Sequence, residues 1–274
     1  SKITKFTEET GEPLIYHQAG SVKIARTESD ATQIRAEIAA GRQLGLDIHE
    51  IGPSELTRLA PWARPSGALA MWFTPSDLYL EPVQIPLGYA RAAERRGATL
   101  LPETEVTGIA IQHGEVTGVT TNRGEIRTPV VVDAAGAWAR LIGERAGVRI
   151  PVVPVRHQLI ITEPIAGVDT TQPICRVIDA NVYVRPEKGG LMLGGYEPDP
   201  HAYNMRGVPP GFQIKDLPLD LTVLRGLAER VRDVFPALVD APVREHRGGL
   251  PPMASTLPVQ CPVSRDCMLR PAAA

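Results

Sequence analysis

Hydrophobic residues recur at helical spacing in three segments of the chain. The first runs from about residue 29 to about residue 44, and the second covers residues 81–96 with an apolar face that includes Val83 and Leu87. The third covers residues 220–235 and is followed by a proline, which cannot continue a helix. We therefore predict three main helices, each with one face that can pack against a sheet.

Alternating or continuous apolar runs predict strands between these helices. Residues 13–26 alternate loosely around Gly20, which indicates a hairpin, and residues 105–128 contain two turn dipeptides, which indicates a three-stranded antiparallel meander. Residues 151–193 are rich in strand-forming runs, and residues 243–250 predict one more strand. After Leu250 neither period continues, so we expect the remaining tail to be disordered or loosely packed.

A short β-branched run, Val130–Val132, leads directly into the small residues Ala134–Gly136. Such a run is typical of a strand buried on both faces of a parallel sheet. Small residues at the following turn let a ligand's backbone or phosphate approach without meeting a Cβ atom. The pattern predicts a buried parallel strand followed by a helix, and it fits either an ordinary tight turn or a nucleotide site.

Composition and charge narrow the class of protein. The 274 residues carry a formal net charge of −2 and no long basic run, which argues against a nucleic-acid surface. No apolar run is long enough for a membrane span. The three cysteines, Cys175, Cys261 and Cys267, form neither a disulfide framework nor a metal-binding pair. We therefore expect a cytoplasmic protein with no metal site and no membrane partner.

Three motifs occur in a characteristic order: VVDAAGAWA, then PVVPVRHQLIITEP, then DANVYVRPEKGGLMLGGYEPDP. In this order and spacing they resemble the D-amino-acid-oxidase-like flavoproteins, most closely the sarcosine and dimethylglycine dehydrogenase (oxidase) branch. The resemblance implies an α/β fold, in which a partial FAD-binding Rossmann-like domain is interleaved with an α+β substrate domain built on a mixed or antiparallel sheet. It also implies FAD as cofactor and a small amine as substrate, and it names no electron acceptor.

The resemblance also implies a division of the chain. Residues 1–80 would form a substrate-domain hairpin and helices, and residues 81–150 would form part of the FAD-binding domain. Residues 151–242 would return to the substrate domain, and residues 243–274 would include a strand of the FAD domain and the irregular tail.

Candidate site residues follow from the matching positions. His157 and Tyr183 match groups that face the substrate and are the catalytic candidates, although a lone histidine or tyrosine in a strand is often only a packing residue. The substrate-binding candidates are Arg185, for which a salt bridge is the simpler interpretation, and Tyr196. The cofactor-binding candidates are Val106, Ala134, Ala135, Gly136, Trp138, Gly248 and Gly249, the last two in a loop near the flavin ring.

Two parts of the family pattern are missing from the printed sequence. No GxGxxG segment precedes Glu81, and the residues after Gly249 depart from the family's closing turn. We therefore expect the chain to be the middle of a flavoenzyme and to bind FAD weakly or not at all. The function expected is FAD-dependent oxidation of a sarcosine- or dimethylglycine-like amine; the alternatives are a flavin-free remnant and a D-amino-acid or glycine oxidase.

Overall fold

A computed structural model describes residues 2–197 and 199–254. The helices are α1 (Phe6–Thr10), α2 (Glu28–Gln43), α3 (Pro53–Leu59), α4 (Gln84–Arg95), α5 (Ala139–Arg145), α6 (Leu221–Glu229) and α7 (Ala237–Asp240). The strands are β1 (Tyr16–His17), β2 (Ser21–Ala25), β3 (His49–Glu50), β4 (Ala70–Thr74), β5 (Tyr79–Leu80), β6 (Val106–Gln112), β7 (Glu115–Thr121), β8 (Gly124–Arg127), β9 (Val152–Pro154), β10 (His157–Thr162), β11 (Ile174–Val177), β12 (Val182–Glu187), β13 (Gly190–Gly195), β14 (Val243–Gly249) and β15 (Pro252–Ala254). No helix in these residues is long and apolar enough to cross a membrane.

The chain divides into two compact units. Unit 1 contains the residues up to Thr99 together with Gln158–Asp199 and Pro218–Gly248. Unit 2 contains Leu100–His157, Pro200–Leu217 and the described residues from Gly249 onward. The structure thus groups residues 81–99 and 243–248 with unit 1 and residues 151–157 and 200–217 with unit 2, which differs from the division expected from the resemblance.

Unit 1 is built on an eight-stranded mixed sheet in the order β14-β10-β13-β12-β11-β2-β4-β3. One face of this sheet carries the main core, in which Val22, Cys175 and Leu193 pack with Leu224 and Leu227 of α6. Asp220 caps α6 by accepting hydrogen bonds from the backbone of the next turn, and the helix then presents its apolar stripe to the sheet. The mixed α/β fold predicted from the sequence is confirmed.

On the opposite face α2 covers only the end of the sheet near β4. Ile34 and Ile38 of α2 pack with Ala25, Ala70 and Trp72. Further along this face, β11 and β12 carry the polar side chains of Arg176, Tyr183, Arg185 and Glu187.

Unit 2 contains the predicted meander, formed by β6, β7 and β8. His113 and Gly114 form its first turn with φ values of 52° and 83°. A two-residue hairpin turn of this hand requires positive φ at both positions, which is why the dipeptide predicted it.

Two strand predictions are wrong. Residues 13–26 form no hairpin, since β2 pairs with β4 and β11 while β1 pairs with β5. Residues 130–132 form no strand, and Val130 and Val132 are 69% and 83% exposed. A parallel strand is stable only when neighbouring strands complete its hydrogen bonds, and no strand of the described chain pairs with this segment.

At the start of the tail, Pro252–Ala254 form the exposed strand β15, which pairs with β9. The rest of the tail, with Cys261 and Cys267, lies outside the described residues.

The predicted apolar face of α4 is correct as a pattern but is not buried. Val83 and Leu87 are 57% and 51% exposed, whereas Gly88 and Ala92 are the buried residues of this helix. The buried side of α4 is the side that contacts α1, where the ring of Phe6 lies directly against Gly88. An amphipathic pattern shows which side of a helix is apolar but not which side meets a partner.

Candidate functional site

A row of residues in register crosses the sheet of unit 1 on its polar face. Neighbouring strands place Leu159 opposite Gly194, Gly194 opposite Tyr183, Tyr183 opposite Arg176, and Arg176 opposite Lys23. Residues opposite each other in a sheet point to the same side. Two candidates from the sequence, Tyr183 and Arg185, share this face because they alternate along β12.

Tyr183 lies flat over a glycine of the next strand. A Cβ atom placed on Gly194 would overlap the phenol oxygen and Cζ of Tyr183, so only glycine admits the ring in this position. Burial raises the pKa of the Tyr183 hydroxyl, and the nearby phenol of Tyr196 raises it further. The hydroxyl therefore keeps its proton at neutral pH and can donate a hydrogen bond. Tyr196, also a candidate, follows β13 and is 52% exposed.

Arg185 is buried and already paired. Its Nη1 atom donates to Glu187 Oε2 at 2.5 Å and to the Pro186 carbonyl at 2.9 Å. Its guanidinium also stacks over the ring of Tyr79, 4.9 Å from the centroid. The charge of Arg185 is thus compensated within the protein, so its position favours an internal ion pair that supports the sheet face over direct binding of a substrate carboxylate.

His157 is the first residue of β10, two positions before Leu159. Alternate residues of a strand share a face, so His157 belongs to the face of this strand that carries Leu159. Burial lowers the pKa of its imidazole, which is therefore unprotonated at neutral pH and able to accept a proton. That His157 and Tyr183 line one cavity stays a prediction.

The segment around Gly136 forms the second group of candidates, and it lies in unit 2. Gly136 has a φ of 56° and begins the 3₁₀ helix Gly136–Trp138, which leads into α5, so the predicted helix start is confirmed. No atom lies within 4 Å of a Cβ built on Gly136, and Ala134 is exposed. Trp138 is half-buried in the 3₁₀ helix, and Val106 is half-buried at the start of β6.

Asp133 is a polar group at this segment that the sequence analysis did not single out. Its Oδ1 atom accepts a hydrogen bond from the Ala135 backbone at 3.0 Å, whereas its buried Oδ2 atom has no partner among the described residues. Burial raises the pKa of this carboxyl group. The sequence could have indicated Asp133 as a site residue, because it is the one acidic residue in the motif VVDAAGAWA. An unpaired acceptor beside open space at Gly136 fits the hydroxyl and amine donors of the adenosine part of FAD.

Gly248 and Gly249 do not lie in a loop. They end β14, which is the edge strand beside β10. The resemblance implies a loop for this dipeptide, whereas the strand predicted over residues 243–250 includes it, and an edge strand tolerates glycine more easily than a central one.

Comparison with known proteins identifies the family. The family model for FAD dependent oxidoreductases (DAO) matches residues 2–269. The chain belongs to this family. The resemblance seen in the three motifs is confirmed, and with it the class of FAD-dependent oxidoreductases to which the relatives belong.

Two similar curated proteins are dehydrogenases of N-methylated amino acids. The chain is 28% identical over 247 residues to dimethylglycine dehydrogenase of Homo sapiens, and the match covers 87% of this chain and 28% of that protein. It is 34% identical over 198 residues to sarcosine dehydrogenase of Homo sapiens, covering 70% of this chain and 22% of that protein. The chain therefore spans about a quarter of the length of these relatives.

A solved structure supports the fold. L-proline dehydrogenase from P. horikoshii superposes with a TM-score of 0.77 and 28% sequence identity, over 90% of this chain and 63% of that chain. The DAO-family fold thus extends over most of the described residues.

Proposed function

We propose that the protein containing this chain is a FAD-dependent enzyme that oxidises a small N-methylated amino acid, such as sarcosine or dimethylglycine. The observation that carries this proposal is the similarity to dimethylglycine dehydrogenase over 87% of the chain, which includes both catalytic candidates. The proposal includes a cytoplasmic location, as expected for three cysteines without a disulfide framework and a sequence without an apolar run of membrane-spanning length.

The roles of the residues follow from their protonation states. FAD, when bound, accepts the electrons that the amine loses. His157, held neutral by burial, accepts the proton that an ammonium substrate must release. Tyr183, held protonated, donates a hydrogen bond that orients the substrate, and Tyr196 lies close enough to influence its pKa.

The residues that would hold FAD lie in unit 2. Ala134 and Gly136 leave room for the cofactor, and Oδ2 of Asp133 can accept a hydrogen bond from one of its donors. Val106 and Trp138 offer half-buried apolar surface for the adenosine side. Arg140, the first cation after this segment, is paired with Glu144 at 3.2 Å, so we propose that these residues account for the adenosine side only.

The test is oxidation of a panel of amines by the purified full-length protein that contains this chain, with saturating FAD and an artificial electron acceptor. We expect turnover of sarcosine or dimethylglycine well above that of glycine or D-alanine. Faster turnover of the primary amino acids would instead identify a D-amino-acid or glycine oxidase. If that full-length protein turns over no amine and is colourless after FAD addition and gel filtration, the proposal is refuted in favour of a flavin-free remnant.

Titration calorimetry with FAD is an independent part of this test. The missing glycine-rich loop predicts weak binding by this chain. Stoichiometric, sub-micromolar binding would refute that prediction and would show that the chain has its own diphosphate site.

A further inference from the structure

The half-buried leucine Leu159 lies beside the hydroxyl end of Tyr183 on the polar face of the unit 1 sheet. Strand β13 separates the two residues, and each is directly opposite Gly194, Leu159 from β10 and Tyr183 from β12. Residues opposite each other in neighbouring strands point to the same side of a sheet. Leu159 and Tyr183 therefore share the space above a residue that has no side chain.

The phenol of Tyr183 occupies the space that a side chain at position 194 would fill. A Cβ atom on Gly194 would overlap the phenol oxygen and Cζ, and it would lie 3.0 Å from Cε1. The ring therefore extends across β13 toward β10, while Arg176 in β11 stands on the other side of the ring. Residues directly opposite each other have Cβ atoms about 5 Å apart, which places Cβ of Leu159 about 5 Å from the Tyr183 hydroxyl.

Leu159 has apolar surface left for a ligand, whereas its apolar neighbours on this face have almost none. Alternate residues of a strand share a face, so Ile161 and Met192 lie one step further along β10 and β13. Their exposed fractions are 0% and 5%, whereas Leu159 is only partly buried. On the side of β10, the hydroxyl of Tyr183 is thus bordered by the accessible side chain of Leu159.

A hydroxyl group beside an apolar side chain suits an N-methylated amine. The hydroxyl orients the substrate through a hydrogen bond, whereas an N-methyl group makes no hydrogen bond and is stabilised by apolar contact. A primary amine in the same place would instead turn an N–H group toward the leucine, where it finds no acceptor. The side chain of Leu159 also limits how large the group on the nitrogen can be.

We infer that Leu159 contacts the N-methyl group of the substrate and is a specificity-determining residue for the size of that group. The inference rests on the proposed function. In the sequence Leu159 is one of several apolar residues of a strand, and the glycine opposite it is what brings the phenol to its side.

The experiment compares sarcosine with N-ethylglycine, which differs from it by one methylene group on the nitrogen. For each substrate kcat/KM is measured with the full-length protein that contains this chain, with saturating FAD and an artificial electron acceptor. If the wild type oxidises dimethylglycine but not sarcosine, dimethylglycine and N-ethyl-N-methylglycine form the pair. The variants are Leu159→Ala, Leu159→Val, Leu159→Met and the control Leu59→Ala. Leu59 is a half-buried leucine of α3 that packs against the core on the opposite face of the sheet.

We expect the wild type to favour the N-methyl substrate. Leu159→Ala should shift the ratio of the two kcat/KM values toward the N-ethyl substrate by roughly 10- to 200-fold, the range in which an apolar pocket discriminates one methylene group. Leu159→Val should shift the ratio in the same direction by a smaller factor, and it decides the question if circular dichroism shows that Leu159→Ala is unfolded. Leu159→Met, which conserves volume, and Leu59→Ala should keep the wild-type ratio. Partial unfolding does not change this ratio, because it lowers both values by the same factor.

An unchanged ratio in Leu159→Ala and Leu159→Val, with an active wild type, overturns the inference and leaves the proposed function standing. Loss of activity toward both substrates by the same factor also overturns it, because a purely structural role has that effect. A wild type that oxidises no N-methylated amino acid refutes the proposed function, and the inference falls with it.

Discussion

The ion pair between Arg185 and Glu187 offers a sharp test of how the polar face is stabilised. Their side chains are only 9% and 6% exposed, and the N–O distance is 2.5 Å. We consider Glu187→Gln, which preserves the shape of the side chain and removes its charge. The Arg185 guanidinium then stays buried beside the Pro186 carbonyl and the Tyr79 ring, and the 3.9 Å ion pair of Glu187 with Arg247 is lost as well.

The expected cost follows from the loss of one partner. Removing one member of a buried ion pair typically costs about 3–5 kcal/mol, because the other charge is left uncompensated. The glutamine oxygen and the Tyr79 ring recover some of this, which places our estimate at about 3 kcal/mol. For a unit of this size that corresponds to a fall in Tm of roughly 6–12 °C.

The assay is thermal unfolding followed by circular dichroism at pH 7, with a matched surface control. Glu229→Gln removes an ion pair of similar length, 2.6 Å to Arg232, whose side chains are 62% and 56% exposed. Such exposed pairs contribute about 0–1 kcal/mol, so its Tm should barely change. The double variant Arg185→Met with Glu187→Gln should regain more than half of the lost stability, because it removes the orphaned charge. If Glu187→Gln and Glu229→Gln lower the Tm equally, within about 1 °C, the buried-pair argument is refuted.

Three further predictions concern single positions. The Cys175 thiol is fully buried, and burial raises its pKa. In a variant whose other two cysteines are replaced, a thiol reagent should therefore react only after the protein is unfolded, and rapid reaction of the native protein would contradict this. Burial lowers the pKa of His157, so below about pH 6.5 the unfolded state binds more protons than the folded state and the free energy of unfolding falls as pH decreases. Denaturant titrations between pH 5 and 7 should show that the free energy of unfolding depends less on pH in His157→Gln than in the wild type. The same pH dependence in both proteins would contradict this prediction. Val130 and Val132 are exposed, so Val130→Thr and Val132→Thr should change the free energy of unfolding by no more than about 0.5 kcal/mol. A loss several times larger would show that these side chains are buried.

The hydrophobic pattern by itself determined those elements whose stability is local. The helices α2 and α6 and the meander β6-β7-β8 were all predicted, because apolar stripes, caps and positive-φ turn residues act within a few positions of the chain. The three ordered motifs also determined the family, which the comparison then confirmed.

Tertiary structure alone decided which elements meet. The run Val130–Val132 has the composition of a buried strand but lies exposed, because burial depends on strands that must come from elsewhere in the chain. In the sequence, Arg185 and Arg176 look alike, because each is an arginine within a predicted strand. Only the register of β11 against β12, the position of Tyr79 and the closeness of Glu187 show that one charge is compensated and the other is not. Charge compensation depends on distances between side chains that are remote in sequence, and the fold alone sets those distances.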